Sequence, residues 1–584
     1  MEKHYTVERN TQMLIYLLQK YGIKKVVASP GATNVCLLGS LQNDPYFEIY
    51  SAVDERSAAY MAVGLAEESG EPVALSCTGA TASRNYVPAL TEAYYRHIPV
   101  LAITAAQPAI RAGHLVPQFM DRSNQMKDLV RYSLQLPTVS TAEEEWGYGL
   151  KINEALMELT RNGGGPVHIN LTTTYSPDFS VKELPPIKRL YRHCLTDELP
   201  EIKARRVAVF VGVHSRWSKE MTEAVDSFCE RYNAVVFMDR GSNYNGKYGF
   251  LYNLVSDQQM YNSPVLNVEL AIDIGNISGA YGRLNPANVW RVHPDGVLRD
   301  RFHRLARVFE MDEMSFFKVY AAKRSNNQEM EFYQACCTEN KMLIEKIPDV
   351  PFSNVWAAQQ LSPRLPKHSV LHLGILNSLR CWNLVTLNKE IDCYANTGGF
   401  GIDGCVSTLI GASLANPQKL YFGVVGDLAF FYDMNALGNR HVGKNVRLMV
   451  VNNGRGTEFR NYWHPAERFG DDADAYMAAA GHYGAKSPAL LKHYATDLGF
   501  EYLSASNKEE FKAAIDEFVS PKIGDKPILF EIFTDSKEES DALYLMRHIE
   551  KSAPIAVKQA LRNTVADTVG EHGVQLLKKL MRKE

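Results

Sequence analysis

The sequence lacks the features that mark secreted, membrane-bound or nucleic-acid-binding proteins. Its nine cysteines are scattered, only Cys336 and Cys337 are adjacent, and there is no C-x-x-C and no Cys/His spacing of metal type. No apolar run is long enough to span a bilayer, and no secretory signal stands at the N-terminus. A net charge of −3 gives no reason to expect nucleic acid or an anionic membrane as partner. We therefore expect a cytoplasmic protein with free thiols.

Two common phosphate-binding signatures are also missing. No G-x-x-x-x-G-K-[ST] occurs, so an NTPase would lack its phosphate cradle. The strand-like run "RVAVFVGVHS" in the middle of the chain is not followed by G-x-G-x-x-G, so we do not predict a dinucleotide domain there. The composition is otherwise ordinary for a globular protein, with 46% hydrophobic and 22% charged residues.

At 584 residues the chain is too long for one hydrophobic core. Short β-branched runs alternate with helical stretches, which indicates buried parallel strands and an α/β fold. Prolines and mixed charge at 180–202, and a second break around 345–354, predict three segments followed by a C-terminal helical tail. The strand-like runs are "KKVVAS", "VALSC", "PVLAITA", "PVHINL", "RVAVFVG", "AVVFMD", "ELAIDIG", "SVLHLG", "LYFGVVG", "VRLMVVNN" and "PILFEIF".

Residues 420–456 carry the pattern with the clearest chemistry. One apolar strand ends in Gly426-Asp427, a helical stretch follows, and a second strand ends in Asn452-Asn453. If the two strands are neighbours, a right-handed crossover brings their carboxyl ends together. Carboxylate, amide and carbonyl oxygens suit Mg²⁺ or Ca²⁺, and a glycine before a helix start allows a diphosphate to approach N–H groups such as that of Leu428. The alternative is structural: an Asp helix cap and an Asn-Gly turn.

This Gly-Asp to Asn-Asn pattern resembles the cofactor motif of the thiamine diphosphate (ThDP)-dependent decarboxylase and synthase superfamily. The resemblance implies that Asp427, Asn453 and the carbonyl of Arg455 bind the metal, Mg²⁺ or alternatively Mn²⁺ or Ca²⁺. Gly426 and Leu428 would then meet the cofactor's diphosphate.

The same resemblance implies three doubly wound parallel-sheet domains. They would be a pyrimidine-binding domain (1–185), a middle domain (203–345) and a diphosphate-binding domain (351–555), followed by the tail (556–584). It also implies a homodimer or homotetramer with the active site between subunits, and a 2-oxo acid and an acceptor as substrates.

Within the superfamily, the chain is most similar to the SEPHCHC (2-succinyl-5-enolpyruvyl-6-hydroxy-3-cyclohexene-1-carboxylate) synthases of the menaquinone pathway. The superfamily's glutamate that hydrogen-bonds N1′ of the cofactor's aminopyrimidine corresponds to Glu55, in "DERSAAYMAVGLA". The similar stretches imply cofactor contacts for Gly79, Ser378 and Ile402, the last beneath the rings, and an active-site role for Gln125. These stretches are "SPGATN", "DERSAAYMAVGLA", "CTGATASRNYVPAL", "RSNQ", "NSL", "NTGGFGIDGCVST", "GDLAFFYDMNAL" and "VVNNGRGTEF".

The likeness fails where those synthases bind the carboxylates of 2-oxoglutarate and isochorismate with arginines. Thr33, Gln107, Thr397 and Trp382 stand at four of the arginine positions. Because a charge-assisted carboxylate contact contributes roughly 1.5–3 kcal/mol, losing several predicts different substrates.

New polar residues follow the metal loop: Glu458, Arg460, Asn461 and His464. Glu458 replaces an aliphatic residue of the family and is predicted to be either a catalytic acid/base, a ligand of a substrate hydroxyl or a solvated loop carboxylate.

We therefore expect an enzyme that decarboxylates a 2-oxo acid and passes the resulting carbanion to an acceptor. The alternatives are a SEPHCHC synthase with a relocated carboxylate clamp, a simple 2-oxo acid decarboxylase, an enzyme of acetolactate synthase type, and a non-catalytic ThDP-binding protein. The last has no need of an acid at Glu55. The structural alternative for Glu55 is an acid at a helix N-terminus, with Asp54 as the cap.

Overall fold

A computed structural model describes residues 3–122, 124–280, 282–323 and 329–552, so the predicted tail helix at 556–584 lies outside the described residues. The chain divides into two compact units. The first comprises the residues up to Cys194 together with Gly296–Val308, and the second comprises Leu195–Asp295 and the residues from Phe309 onward.

The first unit is built on a six-stranded sheet in the order β2-β1-β3-β4-β6-β5, with all neighbouring strands parallel. Adjacent residues of one strand face opposite sides: Val26 packs in one core with α1 and α6, whereas Val27 packs in a second core with α3 and α5. The sheet is therefore covered on both faces, as the buried strand pattern predicts. The elements are β1 (Lys25–Ala28), β2 (Glu48–Ser51), β3 (Val73–Thr78), β4 (Val100–Ala106), β5 (Tyr132–Leu136), β6 (Val167–Thr172), α1 (Arg9–Tyr21), α2 (Val35–Leu41), α3 (Glu55–Ser69), α4 (Ala80–Arg84), α5 (Val87–Tyr95) and α6 (Ala142–Glu158).

The second unit contains two parallel sheets. In the first of them, the strands that lie in this unit follow the order β10-β9-β8-β11-β12. β7 and most of β13 belong to the first unit. The elements of this part of the chain are β7 (Tyr191–Cys194), β8 (Val207–Val211), β9 (Ala234–Met238), β10 (Gly249–Leu251), β11 (Asn267–Ile274), β12 (Asn285–Val292), β13 (Leu305–Glu310), α7 (Lys219–Tyr232), α8 (Asn253–Ser256), α9 (Glu313–Ala322) and α10 (Glu331–Glu345).

The last sheet has six parallel strands in the order β15-β14-β16-β17-β19-β18. Its centre, β16 and β17, carries the predicted metal loop. The elements are β14 (Val370–Leu373), β15 (Asp392–Ala395), β16 (Tyr421–Gly426), β17 (Val446–Asn452), β18 (Glu501–Ala505), β19 (Ile528–Phe533), α11 (Asn354–Leu361), α12 (Asn377–Trp382), α13 (Cys405–Leu414), α14 (Asp427–Asp433), α15 (Ala473–Tyr476), α16 (Leu490–Asp497), α17 (Lys508–Phe518) and α18 (Ser536–Met546).

The predicted fold class, three parallel-sheet α/β domains, is confirmed. Every strand-like run named from the sequence forms a strand. In the part of the chain that the structure describes, the helices are too short or too polar to cross a bilayer.

Candidate active site

The predicted metal loop lies at the carboxyl ends of two adjacent strands. β16 and β17 are parallel neighbours in a register that pairs Gly426 with Val451, so the loops after them start side by side. Asp427 is the first residue of α14 and is only 4% exposed, and the nearby backbone N–H groups of Leu428 and Gly454 act to lower its pKa. The side-by-side arrangement that the crossover rule predicts is therefore present.

The two asparagines that end β17 have different roles. Asn452 donates to the buried carboxylate of Glu531 at 2.6 Å and accepts from the N–H of Gly454 at 3.2 Å, so its amide is fully used in the structure. Asn453 lines a cavity with Asp427, and its Oδ1 is buried without a hydrogen-bond partner. An orphaned buried carbonyl oxygen is costly unless a ligand or water satisfies it.

The cavity at these strand ends has a volume of about 110 Å³ and includes Gly426, Asp427 and Asn453. Burial raises the pKa of Asp427 to about 7, with the charge of Glu531 acting in the same direction. Glu539, on α18, also lines the cavity; it is 2% exposed, and burial raises its pKa to about 7. Two buried carboxyl groups without a neighbouring cation favour a cavity that accepts a cation.

The other end of the cavity is formed by the start of α12. Ser378 is 3% exposed and its hydroxyl accepts a hydrogen bond from the Asn354 amide at 3.2 Å. Ile402 also lines the cavity. A Cβ on Gly426 would meet no atom within 4 Å, so the space in front of this helix start is open to a ligand. The cavity thus brings a hydroxyl, an aliphatic side chain and the start of a helix to one space.

These residues fit a divalent cation and a diphosphate. Asp427 supplies one carboxylate, Asn453 an amide oxygen without a partner among the described residues, and Arg455 a carbonyl that accepts from the N–H of Thr457 at 3.0 Å. Hard oxygen donors of this kind, few in number, match Mg²⁺ completed by phosphate oxygens. The described residues hold no group of three or more His, Cys, Asp or Glu side chains of metal-site geometry, and this donor set needs none. The side chain of Arg455 instead pairs with Asp474 at 2.6 Å.

Glu55 lies in the first unit, at the first turn of α3. Asp54 caps this helix, accepting from the N–H groups of Arg56 at 2.9 Å and Ser57 at 3.3 Å. The capping role is therefore filled by Asp54, and within the described residues the Glu55 carboxylate makes no hydrogen bond. Burial raises the pKa of the Cys77 thiol to about 12, and the nearby charge of Glu55 adds to this effect. Glu55 is thus half-buried and available to a ligand.

Gly79 and Gln125 lie on the same unit, on either side of a buried arginine. A Cβ on Gly79 would come within 2.8 Å of the Arg122 guanidinium, so a larger residue at this start of α4 would displace that group. Arg122 is 3% exposed; its Nε donates to Asn170 at 3.1 Å, and its NH1 is buried without a partner. Gln125 donates to the carbonyl of Arg122 at 3.1 Å, which holds the predicted active-site glutamine against this group.

Glu458 is not a solvated loop carboxylate, which rules out one of the three predicted roles. Its two oxygens accept from both terminal nitrogens of Arg380, at 2.5 and 3.0 Å, and from Asn461 at 3.2 Å. The side chains of Glu458 and Arg380 are 15% and 13% exposed. Glu458 therefore lies at the edge of the cavity and forms a bidentate ion pair with Arg380.

The other new polar residues of this loop point elsewhere. Arg460 pairs with Asp471 at 2.9 Å, and His464 accepts from the N–H of Ala466 at 3.1 Å as a helix cap. Neither lines the cavity with Asp427.

The residues that stand at the four positions of the expected arginines make structural contacts. Thr33 donates to the carbonyl of Ala105 at 2.9 Å, and Gln107 accepts from Arg111 at 2.5 Å. Thr397 is 4% exposed and Trp382 is completely buried. These side chains serve packing or local hydrogen bonds, which agrees with a rewritten substrate clamp.

Comparison with known families identifies the class of protein as a thiamine diphosphate enzyme. Residues 9–127 match the family described as "Thiamine pyrophosphate enzyme, N-terminal TPP binding domain". Residues 379–532 match "Thiamine pyrophosphate enzyme, C-terminal TPP binding domain".

Similar full-length proteins narrow the class. A 2-succinyl-5-enolpyruvyl-6-hydroxy-3-cyclohexene-1-carboxylate synthase of Phocaeicola vulgatus is 30% identical over 570 residues, covering 92% of this chain and 98% of the relative. The protein of that name from Bacteroides thetaiotaomicron is 31% identical with the same coverage. The chain therefore belongs to the family of ThDP-dependent enzymes that includes the SEPHCHC synthases. A Rhodococcus jostii ThDP-dependent 4-hydroxybenzoylformate decarboxylase of solved structure is 17% identical, at a TM-score of 0.38 over 90% of this chain and 99% of its own.

The sequence reasoning missed two residues that the structure brings to these sites, Arg122 and Glu539. Arg122 stands inside the similar stretch "RSNQ", but only its burial and its unpartnered nitrogen single it out. Glu539 lies in "SKEESDALYLM", a stretch whose charge is typical of a surface helix. No signal in the sequence distinguishes it from its exposed neighbours.

Proposed function

We propose that this protein is a ThDP- and Mg²⁺-dependent enzyme that decarboxylates a 2-oxo acid and joins the remaining fragment to an acceptor. One observation carries the proposal: a buried carboxyl at Asp427 and an orphaned oxygen at Asn453 line one cavity at adjacent strand ends. Such a pair is unfavourable in an empty protein and favourable with a bound cation. The two family matches support the cofactor.

Each residue of the cavity then has a defined task. Asp427, Asn453 and the Arg455 carbonyl would hold Mg²⁺, and Mg²⁺ would hold the diphosphate. Ser378 would contact the diphosphate, and Ile402 would support the cofactor's rings. When bound, the cofactor supplies the electron sink for loss of CO₂.

Glu55 would hold and share a proton with the aminopyrimidine at N1′. The structure supports this role in two ways: Asp54 already caps α3, and Glu55 has no competing hydrogen bond in the described chain. General acid–base contributions of this kind are typically 10²- to 10⁴-fold.

The environment of Glu55 also supports a homodimer or homotetramer with the active site between subunits. All four residues of β2 are exposed, and large apolar side chains on or beside β2 and α3 face outward. A second copy of the chain would cover them and desolvate Glu55. These side chains are Val35, Ile49, Tyr50, Val53, Tyr60 and Met61, which are 37–78% exposed.

The test uses protein loaded with ThDP and Mg²⁺ and a panel of 2-oxo acids, with CO₂ release as the readout. We expect release from at least one acid, dependent on both additives. Exchange of the ThDP C2 proton, followed by NMR, gives a readout that needs no substrate. If no acid releases CO₂ and exchange is no faster than for free ThDP, the protein is a binding protein and the proposal is wrong.

A second candidate function is SEPHCHC synthesis from 2-oxoglutarate and isochorismate, favoured by the names of relatives at 30–31% identity. The absence of arginine at Thr33, Gln107, Thr397 and Trp382 argues against it. Both substrates at millimolar concentration decide the question. We expect little or no product, and turnover near 1 s⁻¹ or above, an ordinary enzymatic rate, would establish the second candidate.

A further inference from the structure

A second cavity of about 340 Å³ shares Glu458 with the cofactor cavity. It lies between α8 and the loop at Ala280 on one side and α12, Trp463 and Arg547 on the other. A volume of this size falls in the range of small-molecule sites. The two cavities therefore adjoin at Glu458.

The chemistry of this second cavity is set by Arg547. Its guanidinium carbon lies 4.2 Å from the centre of the Trp463 ring, which fixes the plane of the group. Its Nε is buried without a hydrogen-bond partner. Within the described residues, no carboxylate lies within 4.0 Å of it, in contrast to Arg380 with Glu458. Arg547 is therefore a half-buried cation without an ion pair among the described residues, and its main charged neighbour is Asp257, which lines the same cavity.

Two further groups complete the lining. Asn253 is 2% exposed, and its Oδ1 is buried without a partner. Burial raises the pKa of Asp257, against the opposing charges of Arg547 and Arg380. Because Glu458 pairs with Arg380, Arg547 is the arginine of this cavity whose guanidinium is not held in an ion pair by a described residue.

We propose that this cavity is a carboxylate subsite in which Arg547, held against Trp463, binds a substrate carboxylate distant from the reacting carbon. This inference rests on the proposed function, since it needs a substrate in the cofactor cavity. Arg547, which follows α18, would thus take the place of the missing arginines from a different element of the fold. The Arg380–Glu458 pair lies between the two cavities and positions the loop that carries Glu458. In this proposal the pair takes no proton from the substrate. The carboxylate comes either from the tail of a dicarboxylic 2-oxo acid or from the acceptor.

The test compares glutarate with pentanoate, which has the same chain length and one carboxylate fewer. Each is titrated by calorimetry into the holoenzyme loaded with ThDP and Mg²⁺. We expect the parent to bind glutarate about 10- to 100-fold more tightly, the range for a charge-assisted contact. Arg547→Gln should abolish this preference, and Arg547→Lys should keep part of it because the charge remains.

Arg283→Gln is the matched control, because Arg283 bonds Asn262 and Gln259 outside the cavity while also facing Asp257. It should keep the full preference. ThDP affinity equal to that of the parent shows that each variant is folded; if Arg547→Gln fails this check, Arg547→Lys carries the comparison. Displacement of glutarate by 2-oxobutanoate assigns the subsite to the donor's tail, and simultaneous binding assigns it to the acceptor. A parent without preference, or Arg547→Gln with an unchanged preference, overturns the inference, even where CO₂ release upholds the proposed function.

Discussion

Replacing Asp427 by Asn should stabilise the metal-free protein while abolishing its response to Mg²⁺ and ThDP. The carboxyl is 4% exposed, and burial raises its pKa from 3.8 to about 7. Between pH 4 and pH 7 the folded state retains a proton that the unfolded chain has released. The stability of the metal-free protein therefore falls as pH rises through this interval, and above pH 7 the cost reaches about 4 kcal/mol. An amide of the same shape does not carry this cost.

Thermal unfolding after removal of metal and cofactor measures the effect. At about 2–4 °C per kcal/mol for a domain of 150–250 residues, Asp427→Asn should melt roughly 8–16 °C above the parent at pH 8. The difference should shrink toward zero near pH 4. Comparing variant with parent at each pH cancels the contribution of other buried groups, such as Glu539, to the pH dependence of melting. Asp516→Asn, at an exposed carboxylate of α17, is the control and should change little.

Addition of Mg²⁺ with ThDP should reverse the order of the two melting temperatures, so that the parent melts above Asp427→Asn. Binding to the folded state stabilises the parent by mass action, whereas the variant lacks the carboxylate ligand and gains little. A metal-free Asp427→Asn protein that melts with or below the parent at pH 8 would refute the reasoning. In that case the carboxylate is satisfied without a cation, and the case for a metal at this cavity fails.

Three further predictions follow from the same structure. Glu55→Gln should bind ThDP with a modest loss and lose roughly 10²- to 10⁴-fold in turnover, measured on one purified sample, because an amide cannot share the proton at N1′; turnover within a few-fold of the parent contradicts the role. Asn453→Ala should weaken Mg²⁺-dependent ThDP binding with little change in metal-free melting, whereas Asn452→Ala should lower the melting temperature, since one oxygen of the buried Glu531 loses its partner and only the bond from Tyr502 remains; equal melting behaviour of the two would contradict the assignment. Sedimentation velocity should find a dimer or tetramer, and a fully active monomer would exclude an active site between subunits.

Most central strands of the sheets were predictable, whereas β7, β12 and β13 were missed, as were the other edge strands. Buried strands such as β4 and β16 are continuous apolar runs because helices cover both faces of the sheet. The edge strands β2, β5, β10, β15 and β18 escaped prediction, and β2 is exposed at all four residues. An edge strand with an uncovered face carries no continuous apolar signal, so composition alone does not reveal it.

In the site, the residues that spacing along the chain relates were predictable, and the residues that meet only in the folded structure were not. Asp427 and Asn453 were predictable because one crossover of fixed handedness joins them, so spacing along the chain determines their proximity. Glu458 and Arg380 are separated by 78 residues, and no spacing rule relates them. Their pairing decides the chemistry: a bidentate arginine occupies the oxygens that a general base needs, so Glu458 serves better to position Arg380 than to move a proton. Arg380 is thus held in an ion pair, whereas Arg547, a residue that the sequence gives no reason to single out, keeps an unpartnered Nε among the described residues. Residue types near a cofactor therefore predict the cofactor, and only the pairing of charges in space predicts which group remains for the substrate.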